Sequence, residues 1–244
     1  MEPSAYLDMA AVEERHWWFE GRRRVLAGCI EGLELGAGAR ILELGSGTGG
    51  NLPLLARFGH VTAVEMNPMA REISSARHAD ADVREGKLPD DLPLEQQKFD
   101  LVCMFDVLEH IDDDAAALRA ARAHMAPGGT LLITVPAYKA LFGPHDEELH
   151  HKRRYERDEL RMKLHAAGLR VDKLTFINTT LLPLAWTLRW FDKALNRTQA
   201  SGTSMPPALL NRLFTMMFGA EAQILPHVNL PFGLSLLALA GAEN

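Results

Sequence analysis

The stretch Ile41-Leu42-Glu43-Leu44-Gly45-Ser46-Gly47-Thr48-Gly49-Gly50 carries a short apolar strand, Arg40 to Leu44, into a glycine-rich turn. Gly45, Gly47 and Gly50 fit the G-x-G-x-x-G of a dinucleotide site, whereas Glu43, Gly45, Gly47 and Gly49 fit E-x-G-x-G-x-G. Either pattern needs glycine because a ligand approaching a tight strand-to-helix turn would meet a Cβ. Two acids separate the readings. Glu43, at the strand end, puts a carboxylate beside the turn, which suits a cationic ligand group and suits a pyrophosphate poorly. Glu65, twenty residues past Gly45, stands at the end of the next strand, where an acid accepts both ribose hydroxyls.

Outward from the turn the period keeps alternating. Asn51 to Phe58 reads as a helix closed by Gly59, Val61 to Val64 as a strand, Pro68 to Arg77 as a helix and Asp82 to Arg84 as a brief strand. Asp100 to Phe105 and Thr130 to Val135 are buried strands flanking an alanine-rich helix, Ala115 to Met125, with Asp112 to Asp114 at its N-terminus where negative charge is favoured. Strands and helices at this spacing predict an α/β fold with a parallel sheet and a ligand site at the carboxyl ends of its strands. Upstream, Ser4 to Gly36 is helical and amphipathic. Downstream come a His-rich loop (Ala137 to Arg154), a helix (Glu156 to Ala167) and a strand (Arg170 to Ile177). Two apolar helices follow (Thr180 to Leu195 and Pro207 to Gln223), separated by a polar linker, Asn196 to Met205, and then a last strand (Phe232 to Ala240).

The chain has 244 residues, 47% hydrophobic and 24% charged, with 26 basic and 32 acidic side chains and a net charge of −6. This is globular composition, and the acidic balance argues against sequence-independent nucleic-acid binding. Cys29 and Cys103 are the two cysteines; they support neither a disulfide framework nor a thiolate zinc site and fit a reducing cytoplasm. Met1 to Ala11 lacks the basic and apolar regions of a secretory signal, and Ile224 to Ala240 is broken as a spanning helix by Pro226, His227, Asn229, Pro231 and Ser235.

The chain resembles the class I S-adenosylmethionine-dependent methyltransferases. Besides the glycine turn, Ala63-Val64-Glu65-Met66-Asn67-Pro68, Phe99-Asp100-Leu101-Val102 leading into Asp106-Val107-Leu108-Glu109-His110, and Ala126-Pro127-Gly128-Gly129-Thr130 are similar to that family's successive motifs in order and spacing. The resemblance implies a Rossmann-like, mostly parallel, seven-stranded sheet whose last strand is antiparallel. It also implies one domain divided into an N-terminal helical lid (1–36), a cofactor core (37–136) and an acceptor region (137–244) with a helical insertion. Contacts to S-adenosylmethionine, or to its product S-adenosylhomocysteine, are implied at Gly45, Ser46, Gly47 and Gly49 for the methionine part. Glu43 stands beside them, Glu65 takes the ribose, Met66 the adenine, and Phe105 and Asp106 complete the site. Lys87 stands where the family often has an acid for the adenine amino group, so the Leu88 backbone is the expected substitute. His16-Trp17-Trp18-Phe19-Glu20-Gly21-Arg22 resembles an N-terminal segment that folds over the cofactor. Phe19 and Arg22 then reach its methionine end; the plainer alternative is an aromatic core and a solvated arginine face.

Methyl transfer from a sulfonium is an in-line displacement in which the protein supplies position and, where needed, a base. The candidates for that base are His110, His145 and His151. Asp106, Glu109 and His110 also resemble a metal-binding segment of some quinone-biosynthesis and RNA-end O-methyltransferases. Metal-free methyltransferases carry the same residues, and a metal-free site is the expectation. The histidines favour O-methylation of a small-molecule or a lipid- or sugar-linked acceptor, with N-methylation or a non-catalytic cofactor-binding partner as alternatives. Arg22 to Arg24 and Lys152 to Arg154 would give the cleft a basic mouth suited to an anionic acceptor. The apolar C-terminal helices, with Trp186, Trp190, Phe214, Met216 and Phe218, read as core or homodimer contact, with peripheral membrane docking as the other reading.

Overall fold

A computed structural model describes residues 3–78, 80–182 and 205–243. Two helices, α1 (Pro3–Val12) and α2 (Trp17–Glu31), precede β1 (Arg40–Leu44). Then follow α3 (Leu52–Leu55), β2 (His60–Glu65), α4 (Pro68–Arg77), β3 (Asp82–Glu85), β4 (Phe99–Phe105), α5 (Asp114–Ala123) and β5 (Met125–Pro136). The order continues with α6 (Pro144–Glu148), α7 (Arg157–Ala166), β6 (Leu169–Ile177), α8 (Ala208–Gly219), α9 (Glu221–Ile224) and β7 (Ser235–Ala242).

Among the described residues the strands form one seven-stranded sheet in the order β3-β2-β1-β4-β5-β7-β6. Pairing is parallel from β3 to β5, and β7 runs antiparallel between β5 and β6. This is the expected Rossmann-like sheet with an antiparallel last strand. Because β7 opposes both neighbours, β6 points the same way as β5, so Pro136 and the residue after Ile177 lie at the same end of the sheet as Leu44, Glu65 and Phe105.

Alternate residues of β4 feed two cores, as a strand covered on both faces requires. Val102 and Met104 pack with Leu118, Leu160 and Leu164 of α5 and α7; Leu101, Cys103 and Phe105 pack with Val25, Leu26 and Ile30 of α2 and Phe218 of α8. Both cysteines are free and buried.

Several expected elements change length. The single N-terminal helical stretch is two helices, broken between Val12 and Trp17. His16 caps α2, its Nδ1 accepting from Trp18 N at 3.3 Å, and Asn211 of α8 accepts from Trp17 N at 2.8 Å, so the break is fixed by a partner 194 residues away. The helix expected over Asn51 to Phe58 is a single turn. The strand expected to begin at Thr130 begins at Met125, continuing through Pro127-Gly128-Gly129 with a register shift against Phe99 and Leu101. The His-rich loop contains α6. Most of the expected helix Thr180 to Leu195, with Trp186 and Trp190, and most of the following linker lie outside the described residues. In α8 the apolar stripe divides: Phe218 is buried, whereas Leu209, Leu210, Leu213 and Met216 are exposed. Among the described residues, no helix is long and apolar enough to cross a membrane.

Candidate active site

The carboxyl ends of the strands open into a cavity of about 1440 Å³, larger than the ~300–1,000 Å³ typical of one small-molecule ligand. Its wall includes Phe19, Arg22, Gly45, Ser46, Gly47, Glu65, Met66, Leu88, Phe105 and Asp106, together with His110, His145 and His151. Twelve positions singled out in sequence as cofactor contacts thus reduce to ten that face the space.

Glu43 and Gly49 are the exceptions. Glu43 is 1% exposed and lies beneath the turn, Oε1 accepting from Asn51 Nδ2 at 2.8 Å while Oε2 has no partner. Burial pushes its carboxyl up to about 7, against the pull of the Asn51 hydrogen bond. Gly49 serves packing: at φ +86° its Cβ would sit 2.5 Å from Ser74 Oγ of α4. Gly45 is constrained from the other side, with φ +76° and Val107 Cγ2 2.7 Å from the position of a Cβ. The turn is therefore glycine-rich as much to close against β2, α4 and the segment after β4 as to admit a ligand.

The Glu65 carboxylate is oriented by the backbone, Oε2 accepting from Gly47 N and Oε1 from Asn67 N, each at 2.8 Å. Each oxygen keeps a second lone pair for a ligand hydroxyl. Ser46 Oγ is buried without a partner, and a Cβ at Gly47 would meet only Met9 Cε at 3.5 Å. An unpaired hydroxyl, open space over the backbone and a pre-aimed carboxylate suit an amino-acid nucleoside such as S-adenosylmethionine.

The N-terminal helices close this half. Arg22 of α2 pairs with Asp106 and stacks on Trp18, its guanidinium carbon 4.3 Å from the ring centroid. The plainer alternative for this segment holds in part: Trp17 packs edge-on against Phe214 at 5.6 Å, and Arg24 forms an exposed pair with Glu20. One residue that sequence did not single out, Glu13, is buried between α1 and α2, accepting from Thr48 Oγ1 at 2.9 Å and pairing with Arg77. It ties the N-terminal helices to the glycine turn and to α4. No local pattern marks it, because Thr48 and Arg77 are 35 and 64 residues away.

Across the cavity, the His-rich loop presents an ordered dyad. His151 Nδ1 lies 2.9 Å from Asp146 Oδ1, and the same Asp146 oxygen accepts from Arg154 Nε at 2.8 Å while Oδ2 accepts from Gly143 N at 3.0 Å. Burial pulls Asp146 upward, but the hydrogen bonds from His151 and Arg154 hold it down at about 2. His110 packs edge-on against His151 at 4.8 Å between ring centroids. Burial, reinforced by His151, drops it to about 4, so it is neutral and a weak base at pH 7. Burial first, and then Asp106, raises the Glu109 carboxyl well above its ordinary value.

The metal-ligand set considered in sequence is rearranged. Asp106 is committed to Arg22, and His151 joins Glu109 and His110, with ligand atoms within 4.8 Å of one another; His151 Nε2 lies 3.9 Å from Glu109 Oε1. Donors around one zinc or magnesium ion at about 2.0–2.2 Å bond length sit closer together than that unless they are trans, so the trio as placed is open. Activity is expected to survive dialysis against excess EDTA; loss of turnover restored by added magnesium or zinc would show that the trio closes on an ion.

The Lys152 to Arg154 half of the expected basic mouth is corrected by the same geometry. Lys152 pairs with Asp112, Arg153 with Asp114 at 2.9 Å, and Arg154 with Asp146. The acids and bases that cluster separately in sequence neutralise one another in space.

The sheet, the glycine turn and the acid at the end of β2 define an S-adenosylmethionine-dependent methyltransferase of class I. Residues 18–174 match the methyltransferase domain family, well over half of the chain, and the chain belongs to it. It is similar to the ubiquinone biosynthesis O-methyltransferase of Xanthomonas campestris pv. campestris, 37% identical over 103 residues. That match covers 40% of this chain and 43% of the relative, so the chain spans less than half the length of the curated relatives it matches. Among solved structures, a chain of the complex between the Haloferax volcanii Trm112 methyltransferase activator and its methyltransferase superposes with TM-score 0.63 at 20% identity, covering 99% of this chain and 94% of that one. The 4+2 cyclase SpnF superposes equally well, TM-score 0.63 at 16% identity over 98% and 92% of the two chains. These likenesses show the fold and leave the reaction to the site.

Proposed function

We propose that the chain methylates a hydroxyl oxygen of a small-molecule or lipid-linked acceptor, with His151 as the base. The observation that carries this is the Asp146–His151 pair: His151 lines the same cavity as the glycine turn, and the buried Asp146 holds it from behind. Hydrogen bonding of Nδ1–H to Asp146 leaves Nε2 as the acceptor nitrogen. An ionised Asp146, itself held by Arg154 and Gly143, favours the imidazolium that forms as His151 takes the hydroxyl proton. An amine acceptor needs no such base, and the likeness to the ubiquinone biosynthesis O-methyltransferase of Xanthomonas supports oxygen.

In this reading the Gly45 to Gly47 backbone and Ser46 hold the methionine part of the cofactor, Glu65 the ribose, and Met66 and Leu88 the adenine. Arg22 and Phe19 cover the methionine end, with Phe105 and Asp106 below. The cofactor supplies an electrophilic methyl group; the residues named here position it and exclude water. Arg22→Ala is expected to weaken S-adenosylhomocysteine binding about tenfold, the scale of one charge-assisted hydrogen bond, and calorimetry checks it. Unchanged affinity removes Arg22 from the site. The reaction itself is tested by incubating the protein with methyl-labelled cofactor and matched phenols and anilines. Label in aryl methyl ethers is expected; label on nitrogen alone, or cofactor binding without turnover, overturns the O-methyltransferase reading.

A further inference from the structure

Asn178 is 1% exposed in the wall of the cavity, and neither its Nδ2 nor its Oδ1 has a hydrogen-bond partner. Its main chain is satisfied: the N–H donates to Glu221 Oε2 at 2.7 Å and the carbonyl accepts from Leu234 N at 3.4 Å. The fold therefore holds the residue in place and leaves the amide idle, and a buried amide with a free donor and a free acceptor is costly unless something else pairs with it. Asn178 follows β6, at the end of the sheet where β5 finishes at Pro136 and β7 begins at Ser235. This is the opposite side of β4 from the glycine turn and Glu65.

Pro136, Leu181, Phe214, Leu234 and Ser235 line the same cavity, and these five are apolar except for one hydroxyl. Of the basic residues that line the cavity, Arg22, Lys152 and Arg154 are already paired with acids. A wall of this kind stabilises apolar surface and offers no counter-ion to a carboxylate or phosphate.

We propose that this wall is the acceptor subsite and that Asn178 pairs with a neutral oxygen, a hydroxyl or carbonyl, on an otherwise apolar acceptor. The proposal rests on the methyltransferase reading above and adds the acceptor's class and the residue that reads it. The amide both donates and accepts, so it holds a hydroxyl or carbonyl in one orientation and thereby sets which oxygen faces His151.

The test is calorimetry on the full chain loaded with S-adenosylhomocysteine, with 4-heptylphenol as the neutral apolar probe and 4-hydroxybenzoate as the anionic one. Heptylphenol is expected to bind the wild type at least about tenfold more tightly than hydroxybenzoate. Asn178→Gly, which suits the positive φ of 59° at this position, should lose about tenfold in heptylphenol affinity, the scale of one buried hydrogen bond. Asn178→Asp, which tolerates the same backbone and keeps an acceptor oxygen but no NH₂ donor, should lose less, because the phenol hydroxyl can still donate to it. Both variants should keep wild-type affinity for S-adenosylhomocysteine, and Asn178→Gly should keep a melting temperature close to wild type, because no hydrogen bond of the free protein is removed; a merely structural role would lower the melting temperature and spare the probe. Failure of S-adenosylhomocysteine to bind the wild type would sink the methyltransferase reading itself. Cofactor-product binding with no heptylphenol binding, with hydroxybenzoate preferred, or with equal probe affinity in wild type and variants, overturns the subsite.

Discussion

His151→Ala is expected to lower kcat by about 10²–10⁴, the usual range for loss of a positioned base, while S-adenosylhomocysteine affinity stays at the wild-type value. The companion variant Asp146→Asn separates orientation from mere presence of the imidazole. Both Asp146 oxygens act as acceptors, Oδ1 for His151 and Arg154 and Oδ2 for Gly143. An asparagine supplies one acceptor oxygen and one NH₂, so either placement of its amide sets a donor against a donor. If the NH₂ faces His151, the imidazole keeps its proton on Nε2 and cannot accept one there; if it faces Gly143, the start of α6 loosens. A drop in kcat with KM little changed is expected in both variants, measured with whichever phenol turns over. Retention of activity within about threefold, less than 1 kcal/mol of barrier, would show that the proton leaves by another route.

Much of the cofactor half was legible in the sequence because its determinants are local. The strand, turn and acid of Leu42 to Gly50 and Val61 to Glu65 are set by side-chain period and glycine placement within about 25 residues, and the sheet built from them is the one observed. Motif order carried the resemblance for the same reason. Legibility fails where a contact joins distant parts of the chain. Glu13 reaching Thr48 and Arg77, and Asn211 capping α2, have no local signal. The basic mouth was a misreading of this type: Lys152 and Arg153 look unopposed until folding brings Asp112 and Asp114 against them from about forty residues away. Asp146 is one of three consecutive acids in the sequence, and only burial with two donors on one oxygen distinguishes it from Glu147 and Glu148. Glu43 was noticed for the right reason, a carboxylate near the turn, but strand alternation and Asn51 place it under the backbone instead of in the ligand space.

That burial makes Glu43→Gln the substitution with the largest expected effect on stability. The folded-state value of about 7 lies above the ordinary carboxylate range, so between roughly pH 4.5 and 7 the folded chain holds a proton that the unfolded chain has released. Stability from this group is fully present below the unfolded value and is lost as pH rises through the folded one. The loss totals about 3 kcal/mol, an upper figure because the carboxylate can relax towards Asn51. Glutamine has no such titration and can keep its oxygen on Asn51 Nδ2. Wild type and Glu43→Gln should therefore melt together near pH 4 and diverge upward, the variant melting ~5–10 °C higher at pH 8, given about 2–4 °C per kcal/mol for a chain of this size. Parallel melting curves across that range would mean that Glu43 is ionised in the fold at little cost. A buried acid that weakens the protein at working pH calls for a compensating use, and a positively charged group above the glycine turn would favour its ionised form. The same variant is accordingly expected to lose more affinity for S-adenosylmethionine, whose sulfonium is cationic, than for S-adenosylhomocysteine, whose thioether is not.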